Sequence, residues 1–504
     1  MSMIDALARG IARRRLARMR ANAMAPRPAQ QRLLARLVER MAATDFGRRH
    51  GLGSVQKVED LASAVPLLDY AAMRPWWDRA RAGEPNVTWQ GRIRFFALSS
   101  GTTSGEKYLP VSDATIASNR RGGFDALVPH LVDPTAALFA GKLLFLGGST
   151  QLRRHGDVWL GDNTGIMALH VPRCLRRWHA PDDRIRGMSS WEEKVAAAAA
   201  ATAEVDLRML AGVPSWIVLF GEAVLAHCRR HGRRAECLAD VWPNLQLFVH
   251  GGVTYAPYAH RLRELIGRSI RLVDTYSASE GGMLAVQDEA TSPAMLPLLD
   301  RGAVFEFVPT TELGAASPKR LAADRVEPGV DYAVALTTDS GLVSYLVGDV
   351  VRVTGVAPLR IVFAGRLAHT LNSFGEHVSG GELERAIAAA AQATGSVVEE
   401  FATATDFPVP GEPTGCHCYY VQFHRAPDDL TAFARELDAT IARGNEDYAT
   451  HRTFGLRAPK VEAVPAGTFL ELLRRRGKVG GQHKVPRVLD EGWRADLLAV
   501  AVAR

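Results

Sequence analysis

Leu33, Leu34, Leu37 and Met41 fall at helical spacing, and the glycine of TDFGRRHG closes the segment, so residues 30–50 predict one helix. Short apolar runs then alternate with helical patterns. IRFFAL at 93–98, KLLFLGG at 142–148, SWIVLF at 215–220, LQLFVHGG at 245–252 and IRLVDTYS at 270–277 predict strands, and their rhythm predicts α/β layering. The alanine run at 196–201, between WEEK and EVDLRML, predicts one long helix. From 303 the pattern turns to β: AVFEFVP, DYAVALTT and LVSYLVGDVVRVTG, separated by a turn-rich patch at 311–330, predict a small β subdomain. RIVFAG reads as a strand, HTLNSFGEHV as an exposed crossing and GGELERAIAAAAQ as a new helix. The remainder holds an alternating strand, another helix, the glycine-rich RRGKVGGQHKVPR and a last helix, a small α+β domain. The expected fold class is therefore α/β: a large N-terminal domain with a β subdomain over residues 1–366, and a small C-terminal α+β domain over 367–504.

With 504 residues the chain exceeds one compact core. Its 47% apolar and 23% charged residues exclude wholesale disorder. A net charge of +7, much of it in the first fifty residues and in RRRGK near the end, permits nucleotide, nucleic-acid or anionic-lipid contact without requiring any of them. No apolar run reaches the roughly 18 residues of a membrane span. The basic amphipathic IDALARGIARRRLARMRANAM reads as a solvated helix packed on the domain behind it, with a transit peptide or lipid-surface helix as alternatives. Five cysteines, at 174, 228, 237, 416 and 418, form no CxxC pair and fit a reducing cytoplasm. CHC at 416–418 lies in the alternating CHCYYVQF and reads as a half-buried strand rather than a metal site.

Four stretches carry candidate chemistry. In FALSSGTTSGEKYLPVSD, glycines free the backbone to converge its N–H groups while hydroxyls add donors, a nest suited to phosphate oxygens; an ordinary polar hairpin is the alternative. The GxxxxGK[ST] spacing fails, and KYLPVS after the loop reads as a strand. In DTYSASEGGML, at the end of a predicted strand, a tyrosine can stack on a base and Glu280 can hold a hard cation, or the turn is merely solvated. In YLVGDVVRV, Asp349 can accept both hydroxyls of a ribose, although Gly-Asp is commonplace in hairpins. Arg366 lies beside a candidate hinge, and Lys484 follows a glycine loop that domain rotation could carry to or from a site, or is a plain surface lysine.

In this order the stretches resemble the adenylate-forming enzymes, which join a carboxylate to the α-phosphate of ATP. SSGTTSG, VDTYSASEGG, TTDSGLVSYLVGDVVRVTG, LNSFGEHV and NEDYATHRTFG…PKVEAVPAGTF…GQHKVPR, with TDFGRRHG and VPLLDYAAMRPWWDRARAGE upstream, resemble the Gretchen Hagen auxin-responsive family of acyl acid-amido synthetases. The resemblance runs over nearly the whole chain. It implies that Ser99, Ser100, Gly101, Thr102 and Thr103 bind the phosphates of ATP and that Gly251, Gly252 and Val253 line the adenine. Tyr276, Ser279 and Glu280 would contact base, phosphate and Mg²⁺; Asp349 would hold the ribose with Arg366 nearby; Lys484 would reach the α-phosphate from a mobile C-terminal domain.

The sequence departs from the family pattern at Ser344, where an arginine often precedes the tyrosine, at His377, where the pattern has GEK, and in the single Glu106 between Gly105 and Lys107. An acyl pocket is expected between NRRGGFDALVPHL and AGVPSWIVLF, with Phe124, Leu127, Val213 and Trp216 as apolar candidates and Arg120 or Arg121 facing a carboxylate. The expected activity is an ATP-dependent ligase using Mg²⁺, with a small carboxylic acid and an amino acid or other amine as partners, and neither nucleic acid nor membrane. The alternatives are a thioester-forming ligase using coenzyme A, and a non-catalytic nucleotide- or nucleic-acid-binding protein.

Overall fold

The computed structural model describes residues 3–100, 106–253, 255–367, 371, 376, 378–406, 415–454, 456–479 and 484–503; the side chains of 99, 100, 106, 257, 446, 447 and 454 stand outside that description. The chain divides into two units, Met1–Gly252 with Gly267–Phe363, and Val253–Ile266 with Ala364–Arg504.

The first unit is built around a seven-stranded sheet, ordered edge to edge Leu296–Pro297, Gly282–Val286, Arg271–Ala278, Leu247–Gly251, Leu207–Gly212, Lys142–Phe145 and His179–Ala180. The last five run parallel, and the first two add antiparallel. Parallel strands are covered on both faces, which is why Leu247, Phe248 and Val249 form an unbroken apolar run. Helix Asp113–Leu131 packs on this sheet, and the N-terminal helix Met3–Met24 packs on that helix. Arg15 fastens the latter: its guanidinium donates to Asp125 at 2.7 and 2.8 Å and to Asp300 at 2.8 and 2.9 Å.

Two smaller sheets complete the unit. One is four-stranded, with Phe95–Ser100 between Glu106–Val111 and Val158–Asp162. The other holds Ala303–Pro309, Asp331–Thr338, Tyr345–Val356 and Leu359–Arg366 in sequence order, the expected β subdomain.

Two local expectations are corrected. SWIVLF is not a strand but lies in helix Pro214–Arg230, with Pro214 at its first turn; the strand of this region is Leu207–Gly212, just upstream. A continuous apolar run has no period to separate buried helix from buried strand, and the proline marks the helix start. Residues 30–50 form two helices, Pro26–Met41 and Asp45–Arg49, because Thr44 caps the second by accepting from Gly47 N at 3.0 Å. Gly47 is required there, since a Cβ would stand 1.9 Å from Met41 O.

In the second unit, Val397–Asp406 pairs antiparallel with Cys416–Arg425, which pairs parallel with Lys460–Val464. Leu383 and Ile387 of helix Gly380–Thr394, and Phe433 and Leu437 of helix Leu430–Gly444, close over Phe401, Tyr419 and Val421. The sequence alone yields one of these three strands. The segment Val253–Ile266 joins this unit through Tyr258, whose hydroxyl lies 3.1 Å from Glu400 and accepts from Arg487 at 3.2 Å. A single cut after 366 therefore does not describe the division. Among the described residues, no helix is long and apolar enough to cross a membrane.

Candidate active site

In open α/β sheets, ligands gather at the carboxyl ends of the parallel strands. Two candidate stretches leave adjacent strands there: His250–Gly251–Gly252 and Tyr276–Ser277–Ala278–Ser279–Glu280. Gly251 faces Thr275 in register, and a Cβ on it would stand 2.4 Å from Thr275 O and 2.6 Å from Oγ1. No larger residue fits without moving the strand. Gly252 turns the chain with φ +83°, a left-handed conformation open to glycine.

Tyr276 and Asp349 meet. The Tyr276 hydroxyl donates to Asp349 Oδ2 at 3.0 Å, with both residues buried. Phe363 holds the tyrosine ring from the side, centroids 5.9 Å apart. The tyrosine thus reaches the parallel sheet's carboxyl edge while its hydroxyl orients a carboxylate of the β subdomain.

Glu280 sits half-buried in the turn joining Arg271–Ala278 to Gly282–Val286. Asn119, from the helix that follows the hydroxyl-rich stretch, fixes that turn: its Oδ1 accepts from Met283 N at 3.2 Å, and a Cβ on Gly282 would overlap it at 1.9 Å. Nothing in the sequence singles out Asn119. Tyr345 is buried nearby; burial first, then the charges of Glu280 and Asp69, push its hydroxyl well above the ordinary tyrosine range.

Ser344 adopts φ 43°, a strained value for a residue with a Cβ. Its N–H donates to Thr337 Oγ1 at 3.0 Å and its hydroxyl to Glu306 Oε2 at 2.7 Å. Arg320 pairs with the same glutamate at 3.1 Å, so a buried cation is supplied from outside the motif. Asp339, in the same TTDSG stretch, is pushed up to about 6 by burial, against hydrogen bonds from Ser118 and Thr115 that act in the opposite direction. Ser118 donates to it at 2.6 Å.

Lys194, in helix Trp191–Ala203, is buried and donates to Gly147 O at 3.1 Å and Gly148 O at 2.8 Å, just beyond the end of strand Lys142–Phe145. Burial lowers its ammonium to about 8. Sequence reasoning passed over it because a lysine in WEEK reads as solvated. Of the acyl candidates, Leu127 and Trp216 are buried, the latter 5.0 Å from the Trp191 ring; Phe124 packs half-buried on the core and Val213 is the N-cap of helix Pro214–Arg230. Arg120 and Arg121 are exposed.

The backbone of Ser99 and Ser100 ends the strand Phe95–Ser100, and Gly101, Thr102 and Thr103 lie outside the described residues, as does His377. Lys107, after them, places its ammonium 5.5 Å from the Tyr70 ring centroid. Val253, Arg366 and Lys484 belong to the second unit. Arg366 is exposed at the end of Leu359–Arg366, next to Gly365 at φ +141°, and Lys484 is half-buried. Three residues beyond Lys484 the chain is locked: buried Arg487 donates to Glu384 Oε1 at 2.9 Å and Phe401 O at 2.8 Å, and its own carbonyl accepts from Thr403 N at 2.8 Å.

The chain resembles known proteins along most of its length. The curated relatives include an indole-3-acetic acid-amido synthetase, GH3.8 of Oryza sativa subsp. indica, 24% identical over 542 residues, covering 91% of this chain and 87% of the relative. The structure of the GH3.15 acyl acid amido synthetase superposes with a TM-score of 0.77 at 18% identity, covering 95% of this chain and 93% of that one. A 2-hydroxyisobutyryl-CoA ligase in complex with its acyl-AMP superposes with a TM-score of 0.61 at 15% identity, covering 94% and 92%, which extends the shared fold to an adenylate-forming ligase. Family models match in order over the chain: the GH3 family N-terminal domain at residues 15–211, the GH3 family central domain at 296–366 and the GH3 family C-terminal domain at 381–492. With all three domains present in their proper sequence, the chain belongs to the GH3 family.

Proposed function

We propose that this protein is an ATP-dependent acyl acid-amido synthetase: it converts a small carboxylic acid to its acyl-adenylate with release of pyrophosphate, then passes the acyl group to an amine, an amino acid above all, with release of AMP. The observation that carries the reading is the buried Tyr276–Asp349 pair at the sheet's carboxyl edge, beside the Glu280 turn, in a chain of the GH3 family.

In this reading the sugar hydroxyls of ATP meet Asp349, oriented by Tyr276, while Gly251, Gly252 and Val253 flank the base and Ser99 to Thr103 cradle the phosphates. Attack of a carboxylate on the α-phosphate brings two anions together. Backbone N–H groups and the Lys484 ammonium offset the charge that develops. Ser279 and Glu280 supply oxygen donors of the kind Mg²⁺ prefers, and a cation held there offsets the phosphate charge. Arg366 stands near the ribose, and the second unit, residues 367–504 in the main, presents Lys484 for the first half-reaction and withdraws it for the second. The five free cysteines support a cytoplasmic setting.

The test is ATP-dependent pyrophosphate release across a panel of carboxylic acids, with and without pooled amino acids and, separately, coenzyme A. The reading predicts AMP and a stable amide, identified by mass spectrometry, with one acid and an amino acid. Coenzyme A as the only productive acceptor would replace it with thioester formation, and ATP binding without pyrophosphate release would replace it with a non-catalytic role.

A further inference from the structure

Side chains two apart on a strand share a face. The alternation that makes Cys416–Arg425 a strand therefore puts both cysteines of CHC on one side and His417 on the other, where His417 Nε2 lies 3.0 Å from Glu376. The register sets Asp406 opposite Cys416, Ala404 opposite Cys418, and Lys460 of the third strand beside Cys418. One oxygen of Asp406 and the two sulfurs lie within 4.8 Å of one another. Cys418 Sγ donates to Asp406 Oδ2 at 2.9 Å, and Cys416 Sγ is 3.9 Å from the same oxygen.

A tetrahedral d¹⁰ cation with metal–sulfur bonds of about 2.3 Å and metal–oxygen bonds of about 2.0–2.2 Å separates its ligand atoms by roughly 3.5–3.8 Å, so shifts of about 1 Å or less bring these three atoms to its edges. The surroundings suit the charge. Two thiolates and a carboxylate on a divalent cation leave one net negative charge, and Lys460 Nζ, 3.4 Å from Asp406 Oδ2, and Arg494, hydrogen-bonded to its other oxygen, stand ready to offset it. Access exists from the Asp406 side, where that carboxylate is 25% exposed and Lys460 is 51% exposed.

We propose that Asp406, Cys416 and Cys418 bind one thiophilic divalent cation of the zinc class, with solvent in the fourth position. The site is independent of the adenylation chemistry. It ties the two longest strands of the second unit together at the end of their pairing. Binding replaces the two thiol protons, which leave to solvent, and the hydrogen bond from Cys418 to Asp406. Both sulfurs bind such a cation as thiolates, so binding releases their two protons.

The full-length protein, reduced and stripped with a chelator, is titrated with Cd²⁺ and Zn²⁺ while sulfur-to-cadmium charge transfer, proton release and the unfolding midpoint are read. The expected result is saturation at a single equivalent, release of about two protons per cation and a raised midpoint. Cys416→Ser and Cys418→Ser lose all three, whereas Cys174→Ser and Cys237→Ser keep them. Asp406→Asn keeps the charge-transfer band but weakens binding at least about tenfold, and it carries the test where a serine variant does not fold. No saturable band in folded, reduced protein, or a band that survives in Cys418→Ser, overturns the site; so does a protein whose two sulfurs form a disulfide and bind no cation once reduced.

Discussion

The Tyr276 hydroxyl donates to Asp349 Oδ2 across 3.0 Å, joining the edge of the parallel sheet to the β subdomain inside one buried contact. Tyr276→Phe keeps the ring and its packing on Phe363 but removes the donor. A hydrogen bond to a charged group contributes roughly 1.5–3 kcal/mol. KM for ATP is expected to rise about tenfold or more, while the reaction of a preformed acyl-adenylate with its amine is unchanged. An unaltered KM in the folded variant would remove Asp349 from ribose binding.

Lys484 and Arg487 are three residues apart and should fail differently. Lys484→Ala is expected to depress adenylate formation, measured by pyrophosphate exchange, and to spare amide formation from a preformed adenylate. Equal losses in both halves would remove the role given to the lysine. Arg487→Met leaves the buried Glu384 and the half-buried Glu400 without their cation, a change that costs about 3–5 kcal/mol, so its first readout is the denaturation midpoint.

Glu280→Ala is expected to raise the Mg²⁺ concentration needed for half-maximal turnover without changing affinity for the acyl acid. A titration of activity against Mg²⁺ at saturating ATP measures this directly. An unshifted midpoint would place the cation elsewhere.

Asp339 holds its proton more tightly folded than unfolded, because burial pushes it up to about 6. Below about pH 4 both states are protonated and the contribution is fully present; as pH rises through about 6 it is lost, since the folded state gives up a proton that the unfolded chain has already released. Asp339→Asn keeps a hydrogen-bonding group against Ser118 and removes the titration. The unfolding free energy measured by urea titration across this range should fall in the native protein by on the order of 3 kcal/mol relative to the variant; parallel curves would show that Asp339 does not titrate this way.

The motifs were legible because their chemistry is local. Tyr276, Glu280 and Asp349 each stand in a short stretch whose residue types suit ATP, and the β subdomain follows from clean alternation. What joins them was not legible. Asn119 under the Glu280 turn, Arg320 against Glu306 and Arg487 among its glutamates act through partners distant in sequence, and each alone is an ordinary polar residue. SWIVLF misled for a different reason: an unbroken apolar run fits a buried helix as well as a buried strand, and Pro214 was the deciding signal. The strand Val397–Asp406 carries acidic residues at 399 and 400, and Glu400 meets Arg487 and Tyr258, partners distant in sequence.

The excursion of Val253–Ile266 into the second unit also bears on how a gene for this protein can be cut. A fragment beginning at 364 encodes a body with a piece missing from its interior: without Tyr258, the buried Arg487 and Glu400 lose a shared partner and the helix Gly380–Thr394 loses a neighbour. Such a fragment should express as an unstable product. A graft that carries the fourteen-residue insert along, by circular permutation or a short linker, should restore it.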